Sequence, residues 1–382
     1  MKFNKNKGIT LIALVITIII LLILAGISIS ALTQTGLFSR AKQAEQKSKD
    51  AQEEENTTLE TYENEINEYL GENPGVEQNK PSGEKLVANY IGKLLSTKEN
   101  IELEDINRNK IVIPAGFKII SDSTTGNATT VDKGIVIEDA TETATKGSQF
   151  VWIPEGTITK EDGTTVEIKL DRYKFGSNGT PTARGDKAID TDFQELENSD
   201  KGNTVAKSIT NFKNSVAING GYYIGRYEAR TTTARSNKDD ELTQITEKGT
   251  DQVYNYVTQQ QAAQQAQGMY TSNNFTSDLM NSYAWDTATL FLQNCGTNTK
   301  YSQQNSLNTS LSQTGTTNDK QCNVYDMASN VREWTTETSS YSDVPCVVRG
   351  GSCFSNYYTS FRIPYVTSYS IGYVGFRPLL YL

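Results

Sequence analysis

The spacing of apolar residues changes twice along the chain. Residues 9–32 are apolar and carry no charge, and a helix needs about 20 such residues to cross a bilayer. Residues 33–70 repeat apolar side chains every three or four positions between Lys, Gln and Glu, which predicts an amphipathic continuation of that helix. From about residue 110, short apolar runs alternate with Gly, Asn, Thr and Asp clusters, which predicts short strands and turns. The predicted fold class is α+β: a long N-terminal membrane-spanning α-helix, then a domain rich in loops and short strands.

Individual strands and helices of this domain can be predicted. The clearest strands are IVIPAGFKII (111–120), GIVIED (134–139), QFVWIPEG (149–156) and GGYYIGRYEA (220–229). One helix is predicted over 258–270, with Thr258 as its N-cap. Its packed stripe is Ala262, Ala263 and Ala266. A second helix is predicted over 277–293. Its core candidates are Leu279, Trp285, Ala288, Leu290 and Leu292.

Composition divides the chain into four parts. Residues 1–8 form a short leader, and residues 9–70 form the long helix. Residues 71–109 form a linker, because they open with a stretch rich in Gly, Pro and charge. Residues 110–382 form the C-terminal domain.

Charge and composition exclude several kinds of function. The net charge of -9 argues against nucleic acid as a partner, since phosphate binding needs a basic surface. The chain has no histidine, which removes imidazole catalysis and His-ligated metals. Four cysteines lack a CxxC pair, so a zinc knuckle or thioredoxin-type site is not expected. The disulfide state of Cys295, Cys322, Cys346 and Cys353 stays open.

The N-terminus predicts an exported protein. Lys2, Lys5 and Lys7 precede the apolar segment and favour a cytoplasmic N-terminus with the rest outside. An uncleaved anchor and a cleaved secretory signal are both compatible with this pattern.

The sequence KGITLIALV also resembles the prepilin-type cleavage and methylation motif of type IV pilins. The resemblance implies that a prepilin peptidase cuts after Gly8 and that Ile9 is then methylated. Ala13 stands where that family usually has the Glu that helps a subunit dock into a filament. We expect residues 9–32 in the membrane and the C-terminal domain outside a bacterial cell. A place in a pilus, with other pilin subunits as partners, stays open.

Five short sequence motifs, called phrases below, follow one another along the C-terminal domain. They are FVWIPEG (150–156), YYIGRYEA (222–229), NVYDMASNVREW (323–334), VVRGGS (347–352) and GFRP (375–378). Together they resemble the formylglycine-generating enzyme and sulfatase-modifying-factor family over residues 111–382. The resemblance implies a C-type-lectin-like fold. We expect Arg349 and Arg377 to pair structurally with carboxylates or carbonyls, and Trp152 and Trp334 to lie in the core.

The same resemblance implies that the family's known chemistries are lost. The two copper-binding cysteines of the formylglycine-generating enzymes correspond here to Ser355 and Ser360, so no copper and no catalytic residue are expected. The ergothioneine-forming branch of the family needs an iron site with histidine ligands, and this chain has no histidine. An altered oxidase site built from Cys346 and Cys353 is the enzymatic alternative.

A structural calcium ion is also implied by the family. The side chains of Asp326 and Glu333 and the carbonyls of Ser329 and Val331 would bind it, since Ca²⁺ prefers oxygen ligands. The alternative is that the two carboxylates cap turns and pair with Arg332 or Arg349.

The segment between RGGS and GFRP is rich in Tyr and Ser, residues that give broad contact area and adaptable hydrogen bonds. It is also similar to the variable region of proteins diversified by retroelements; a plain polar loop is the alternative. The predicted ligand-binding residues are Ser355, Asn356, Tyr357, Tyr358, Ser360, Tyr365, Thr367, Tyr369, Ser370 and Tyr373. We expect a surface-displayed, pilin-like binding protein for an extracellular protein or glycan. A minor pilin acting in filament assembly is a further alternative.

Overall fold

The computed structural model describes residues 85–141 and 143–382, which fall within one compact unit, Asn79–Leu382. Strands and loops dominate it. Its three α-helices are α1 (Ile209–Asn219), α2 (Gln259–Gly268) and α3 (Ser282–Cys295). The first ten strands are β1 (Ile101–Glu104), β2 (Lys110–Ile113), β3 (Phe117–Ile120), β4 (Val136–Asp139), β5 (Gln149–Pro154), β6 (Gly156–Thr159), β7 (Thr165–Ile168), β8 (Tyr173–Phe175), β9 (Pro181–Ala183) and β10 (Phe193–Gln194).

The later strands alternate with helices α2 and α3. They are β11 (Gly221–Gly225), β12 (Arg230–Thr231), β13 (Gln252–Val253), β14 (Thr276–Leu279), β15 (Lys320–Gln321), β16 (Val324–Tyr325), β17 (Arg332–Ser339), β18 (Cys346–Arg349), β19 (Arg362–Tyr365), β20 (Val374–Phe376) and β21 (Pro378–Tyr381). The predicted strand runs at 111–120, 134–139, 149–156 and 220–229 are confirmed as β2 with β3, β4, β5 and β11.

A six-stranded antiparallel sheet forms the main support of the domain. Its strand order is β14-β21-β11-β5-β4-β3. Tyr223 in β11 lies opposite Trp152 in β5, and their rings meet at 4.9 Å. Phe212 of α1 packs edge-on against Tyr222 and Tyr381 of this sheet. Because Trp152 is fully buried, its predicted place in the core is confirmed.

A second sheet of five strands carries the C-terminal segment. Strand β17 pairs with β10, β18 and β20, and β19 extends the sheet beyond β18. The β17–β20 pairing is parallel and sets Trp334 beside Phe376. Trp334 is fully buried and donates its indole N–H to the Val257 carbonyl (2.8 Å), so its predicted core place is also confirmed.

Helix α2 follows the sequence pattern closely. Thr258 accepts from the Gln261 N–H, and Gln261 returns a bond to the Thr258 backbone, which forms a capping box. The predicted stripe Ala262, Ala263 and Ala266 is fully buried.

Helix α3 begins later than predicted. Asn281 accepts from the Ala284 N–H as the N-cap, and Ser277 and Leu279 lie in β14, paired with β21. From Ser282 to Gln293 every residue of the helix is buried.

The predicted fold class, α+β with a long N-terminal membrane-spanning helix, is wrong. The α-helices of the described residues have 11, 10 and 14 residues, fewer than the about 20 apolar residues that a bilayer requires. None of them has the length and hydrophobicity to cross a membrane. The segment 9–32, the helix 9–70 and the processing residues Gly8 and Ile9 lie outside the described residues.

The region expected as a linker, 71–109, is partly described. Strand β1 lies within it and pairs with β2 along its full length. Val87 is also fully buried against the core. Residues 85–109 therefore pack as part of the same compact unit as the C-terminal domain.

Candidate binding face

The RGGS phrase makes a tight turn at the end of β18. Gly350 has a φ of 80°, which side chains disfavour, and a Cβ there would lie 2.5 Å from the Met327 carbonyl oxygen. A Cβ on Gly351 would lie 2.1 Å from the Ala328 oxygen and 2.6 Å from the Tyr357 oxygen. The two glycines therefore let the Tyr-rich segment start directly against the loop before β17.

A buried ion network lies beneath this turn. Arg349 donates to Asp286 (2.5 Å) and Glu337 (3.1 Å), and Arg362 bonds the same two carboxylates. Arg172 adds a third cation on Glu337, at 2.9 Å. Burial alone would raise the pKa of Glu337, but the three arginines outweigh it and hold that pKa at about 2.

The network also bonds to the Tyr-rich segment. Arg349 donates to the carbonyls of Phe361 (3.1 Å) and Ser360 (3.4 Å). Trp285, the neighbour of Asp286, donates its indole N–H to the Thr359 carbonyl at 2.9 Å. The expected structural pairing of Arg349 is confirmed, and it fixes the floor of the segment.

Arg377 of the GFRP phrase pairs with a different carboxylate. It donates twice to Glu333, at 2.7 and 3.1 Å, and also to the carbonyls of Gly225 and Tyr325, each at 2.7 Å. The expected structural pairing of Arg377 is confirmed. The arginine that neutralises Glu333 is therefore neither Arg332 nor Arg349.

A second loop, 304–312, lies beside the Tyr-rich segment. Asn305 forms an isolated bridge with Tyr358, and the Thr359 N–H donates to the Gln304 carbonyl at 3.1 Å. The buried Ser360 hydroxyl donates to the Ser302 carbonyl just before this loop, at 2.8 Å. We define the C-terminal face as residues 304–312, 353–361 and 365–373.

Asn330 joins the parts of this face. Its side-chain oxygen accepts from the Ser312 N–H (2.9 Å), and its carbonyl accepts from the Cys353 N–H (3.0 Å). Its amide donates to the buried Glu228 at 2.6 Å. Glu228 also accepts from the Val331 N–H, at 2.9 Å. The positive φ of Asn330, 59°, suits the αL conformation that Asn tolerates.

The aromatic rings of the face form two stacked pairs. Tyr357 stacks on Phe361 with centroids 4.2 Å apart, and Tyr365 stacks on Tyr369 at 3.8 Å. Phe354 meets the Tyr373 ring at 5.5 Å. The rings therefore hold one another in place before any ligand arrives, which lowers the entropy cost of binding.

The predicted ligand-binding residues differ in exposure. Asn356, Tyr357 and Thr367 are exposed, whereas Ser360 is buried and bonded within the fold. The remaining predicted residues are half-buried: Ser355, Tyr358, Tyr365, Tyr369, Ser370 and Tyr373. Ser355 exchanges a hydrogen bond with Ser352 at 3.0 Å. Nine of the ten therefore keep exposed surface, whereas Ser360 lies inside the fold; the role of all ten in binding stays a prediction.

Sequence reasoning missed several apolar residues here. Of the nine exposed large hydrophobic side chains in the described residues, five belong to the face. They are Leu307, Leu311, Phe354, Tyr357 and Val366. Leu311 and Phe354 line a groove of about 360 Å³ with Tyr256, Ile371 and Tyr373. Only Tyr357 of the five was predicted. Leu307 and Leu311 were missed because the loop 304–312 reaches the face through long-range contacts, whereas Phe354 and Val366 lie within the predicted segment, which was identified by its Tyr and Ser residues.

All four predicted calcium ligands are buried, and the carboxylate oxygens of the two acidic ones are already bonded. Asp326 accepts from the Gly315 N–H (2.8 Å) and from the Thr317 hydroxyl, and burial raises its pKa to about 7. Both oxygens of Glu333 accept from Arg377. No group of three or more acidic or cysteine side chains in the described part of the chain is arranged to hold a metal. The ion does not fit without loss of these bonds, so calcium stays a prediction.

The cysteines offer little support for an altered oxidase site. Cys346 lies buried in β18 and Cys353 lies buried after the RGGS turn. Burial raises the pKa of Cys346 to about 12 and that of Cys353 to about 11. Both thiols are therefore protonated at neutral pH, whereas the thiolate is the metal ligand and the nucleophile.

Comparison with known proteins supports part of the sequence analysis. The family model described as "Sulfatase-modifying factor enzyme 1-like domain" matches residues 256–380, about a third of the chain. The predicted resemblance is confirmed for this part, which contains the whole C-terminal face. No curated protein matches the chain significantly.

Two solved structures show a distant likeness. Treponema denticola variable protein 1 is 12% identical, with a TM-score of 0.36, over 63% of this chain and 98% of its own. CarF is 14% identical, with a TM-score of 0.28, over 42% of this chain and 86% of its own.

Proposed function

We propose that the C-terminal face binds an extracellular protein or glycan and that the chain acts as a binding protein. The observation that carries this proposal is the concentration of exposed apolar side chains on one face, five of the nine in the described residues. Of these five, Leu311 and Phe354 adjoin in one groove with Tyr373, and exposed apolar residues that adjoin in this way usually mark an interaction site. The stacked tyrosines supply rigid contact area around it.

The ion network explains how this face stays rigid without a catalytic role. Arg349, Arg362 and Arg172 share the carboxylates of Asp286 and Glu337 directly below it. A rigid floor beneath an aromatic surface favours contact rather than chemistry. No specific contact in the described residues favours the oxidase alternative.

A binding screen tests the proposal. The purified full chain is applied to a glycan array and to a displayed peptide library, beside the double variant Phe354→Ser/Tyr357→Ser. The variant Ile218→Ser is the matched control, because Ile218 is the most exposed large hydrophobic residue outside the face, at 74%. We expect hits shared by the wild type and Ile218→Ser and lost in the double variant. The same hits with all three proteins would contradict the proposal.

We also propose that the face is diversified by a retroelement. Asn356, Tyr357, Tyr358 and Ser355 belong to the residues that adenine-directed mutagenesis of Asn codons produces, and they cluster on one surface. Sequencing of the neighbouring DNA tests this. We expect a reverse transcriptase gene beside a near-copy of the 3′ end that differs at adenines; a neighbourhood without both would contradict it.

Export with pilin-type processing completes the proposal. It is supported by the KGITLIALV motif at 7–15 alone. Mass spectrometry of the mature N-terminus is the test, and we expect a chain that starts at methylated Ile9. A chain that keeps Met1, or is cut elsewhere, would rule out this processing.

A further inference from the structure

Arg332 is a buried cation of the C-terminal face that lacks an acidic partner. It opens β17 and is only 5% exposed. Arg172, Arg349, Arg377 and the largely buried Arg362 form salt bridges. The buried Arg226 and Arg235 have no acidic partner within residues 85–141 and 143–382, but both of their Nη atoms donate to oxygens of the fold. Arg332 takes part in no salt bridge among the described residues. A buried charge without a counter-charge is costly, so its persistence at this place calls for a partner.

The free donors of Arg332 lie on one edge of the guanidinium. Nη1 donates to the Tyr365 hydroxyl at 2.6 Å. Nε is fully buried and has no hydrogen-bond partner. Nη2 also has no hydrogen-bond partner in the described part of the chain. Unlike Nε, it keeps accessible surface and reaches solvent. Because Nε has no accessible surface, only Nη2 can donate to a group outside the fold, and a hydrogen bond from a guanidinium to a carboxylate is charge-assisted and strong.

Tyrosine rings hold this guanidinium in position. Its carbon lies 5.0 Å from the Tyr373 ring centroid and 5.7 Å from those of Tyr357 and Tyr365. Such cation–π contacts stabilise the charge and orient it without consuming its N–H donors. Tyr373 also lines the groove formed with Leu311 and Phe354. One of the rings that holds Arg332 therefore also lines the apolar groove.

Arg226 shows that the arrangement at Arg332 is unusual. Arg226 also contacts two tyrosine rings and leaves Nε unpaired. However, it is fully buried, and its two Nη atoms donate to Gln149 Oε1 and to the Thr124 carbonyl. Its terminal donors are satisfied within the fold, whereas Nη2 of Arg332 is free at the surface of the face.

We propose that Arg332 binds a carboxylate of an acidic protein segment through Nη2. This inference rests on the proposed function and names its ligand class. A protein segment is favoured over an acidic glycan because Leu311 and Phe354 offer apolar contacts beside the charge, and interfaces between proteins combine such anchors with arginine. The ligand places an Asp or Glu side chain at Arg332 and an apolar side chain in the groove.

Selection from a displayed peptide library tests this assignment. The full chain is used as bait, and the selected peptides are sequenced and synthesised. We expect enrichment of Asp or Glu next to an apolar residue. We further expect an Asp→Asn or Glu→Gln change in the peptide to weaken binding to the wild-type protein about 10- to 100-fold, the effect of removing a charged hydrogen-bond partner. Because that change is made in the ligand, this arm does not depend on the folding of a protein variant.

Protein variants provide the second arm. Arg332→Gln should weaken binding of the acidic peptides by a similar factor. Arg332→Lys should restore only part of that binding, because a flexible ammonium is not a planar donor group held in place by the tyrosine rings. Lys169→Gln, a change of an exposed cation outside the face, should leave affinity unchanged.

The outcomes separate the inference from the proposed function. Peptides that bind the face but show no acidic enrichment, and no loss with their neutral versions, would overturn the carboxylate site and leave the binding function standing. Binding of acidic glycans without acidic peptides would also overturn it. If neither the peptide library nor the glycan array gave a ligand that distinguishes the wild type from Phe354→Ser/Tyr357→Ser, both the carboxylate site and the binding function would be contradicted.

Discussion

Asp286 is the residue on which the floor of the C-terminal face depends most directly. It accepts from Arg349 and Arg362 at once and is fully buried. Its backbone neighbour Trp285 bonds to the Thr359 carbonyl. One carboxylate therefore links helix α3 to β18, β19 and the Tyr-rich segment.

Removal of Asp286 should destabilise the protein strongly. Asp286→Ala leaves two buried guanidinium groups with only Glu337 to neutralise them, and breaking a buried ion pair costs about 3–5 kcal/mol. Urea denaturation measures the free energy of unfolding. Glu99→Ala is the control and should leave it unchanged, because the Glu99 side chain is exposed and forms no hydrogen bond or ion pair within the described residues. Equal effects of the two changes would contradict the proposed role of the network.

Gly351 tests the close approach in the RGGS turn. A Cβ there would lie 2.1 Å from the Ala328 oxygen, so Gly351→Ala must push the backbone apart. We expect a loss of about 1–3 kcal/mol in the free energy of unfolding, as for other overpacked sites. Gly268→Ala is the control, since nothing lies within 4 Å of its Cβ position; it should be neutral or stabilising. A stable Gly351→Ala protein would show that the turn tolerates a side chain.

Among individual residues, the sequence predicted those that support the fold better than those proposed to bind a ligand. Arg349, Arg377 and Gly351 could be predicted because they stand in ordered phrases that carry the family resemblance. Arg332 could not, since its partners Tyr365 and Tyr373 are more than thirty positions away and only folding brings their rings to its guanidinium.

Helix α2 shows how far local pattern predicts an element. Its Thr258 capping box and its buried alanine stripe are local features, and both were predictable from spacing. The start of α3 was not, because Leu279 pairs with Pro378 of β21. That pairing joins residues about a hundred positions apart and overrides the helical pattern, so tertiary context decides the element.

The cap of α2 gives a test at the scale of elements. Thr258→Ala removes the side-chain acceptor for the Gln261 N–H and should lower the free energy of unfolding by about 1 kcal/mol. Gln264→Ala, an exposed change on the same helix, should not lower it. Thermal or urea denaturation of both variants measures the difference. An unchanged Thr258→Ala protein would indicate that packing alone fixes the start of this helix.

The whole molecule buries carboxyl groups with opposite pKa shifts. Burial raises the pKa of Asp278 to about 6 and that of Asp326 to about 7, from an ordinary 3.8. The arginines around Glu337 instead hold its pKa at about 2. A carboxyl group whose pKa is raised by folding binds more protons in the folded state, so stability falls as pH rises through that pKa. A carboxyl group whose pKa is lowered by folding has the reverse effect.

Stability should therefore peak in mildly acidic solution. The contribution of Glu337 is lost as pH falls from about 4.5 to about 2, and those of Asp278 and Asp326 are lost as pH rises from about 4 to about 7. Urea denaturation across this range measures the profile. The double variant Asp278→Asn/Asp326→Asn should lose less stability than the wild type as pH rises from about 4 to about 7. A wild-type profile that rises steadily to pH 7 would contradict these assignments.

At the largest scale, the sequence predicted the family resemblance that the family model confirms for residues 256–380. Three of the five ordered phrases lie within that part, and the other two, at 150–156 and 222–229, fall on β5 and β11. The fold class was wrong because the N-terminal apolar segment, not the strand-rich domain, dominated the prediction. The C-terminal face could not be predicted, because it forms only when residues 304–312 pack beside residues 353–361, and these segments are distant in the sequence.

The most direct test of the account is the affinity of one selected ligand for three forms of the full chain. Calorimetric or optical titration gives the dissociation constant for the wild type, for Phe354→Ser/Tyr357→Ser and for Ile218→Ser. We predict a loss of at least about tenfold in the double variant, the loss expected when central aromatic anchors are removed, and no change in Ile218→Ser. Equal affinity of all three forms would contradict the claim that the C-terminal face is the binding site.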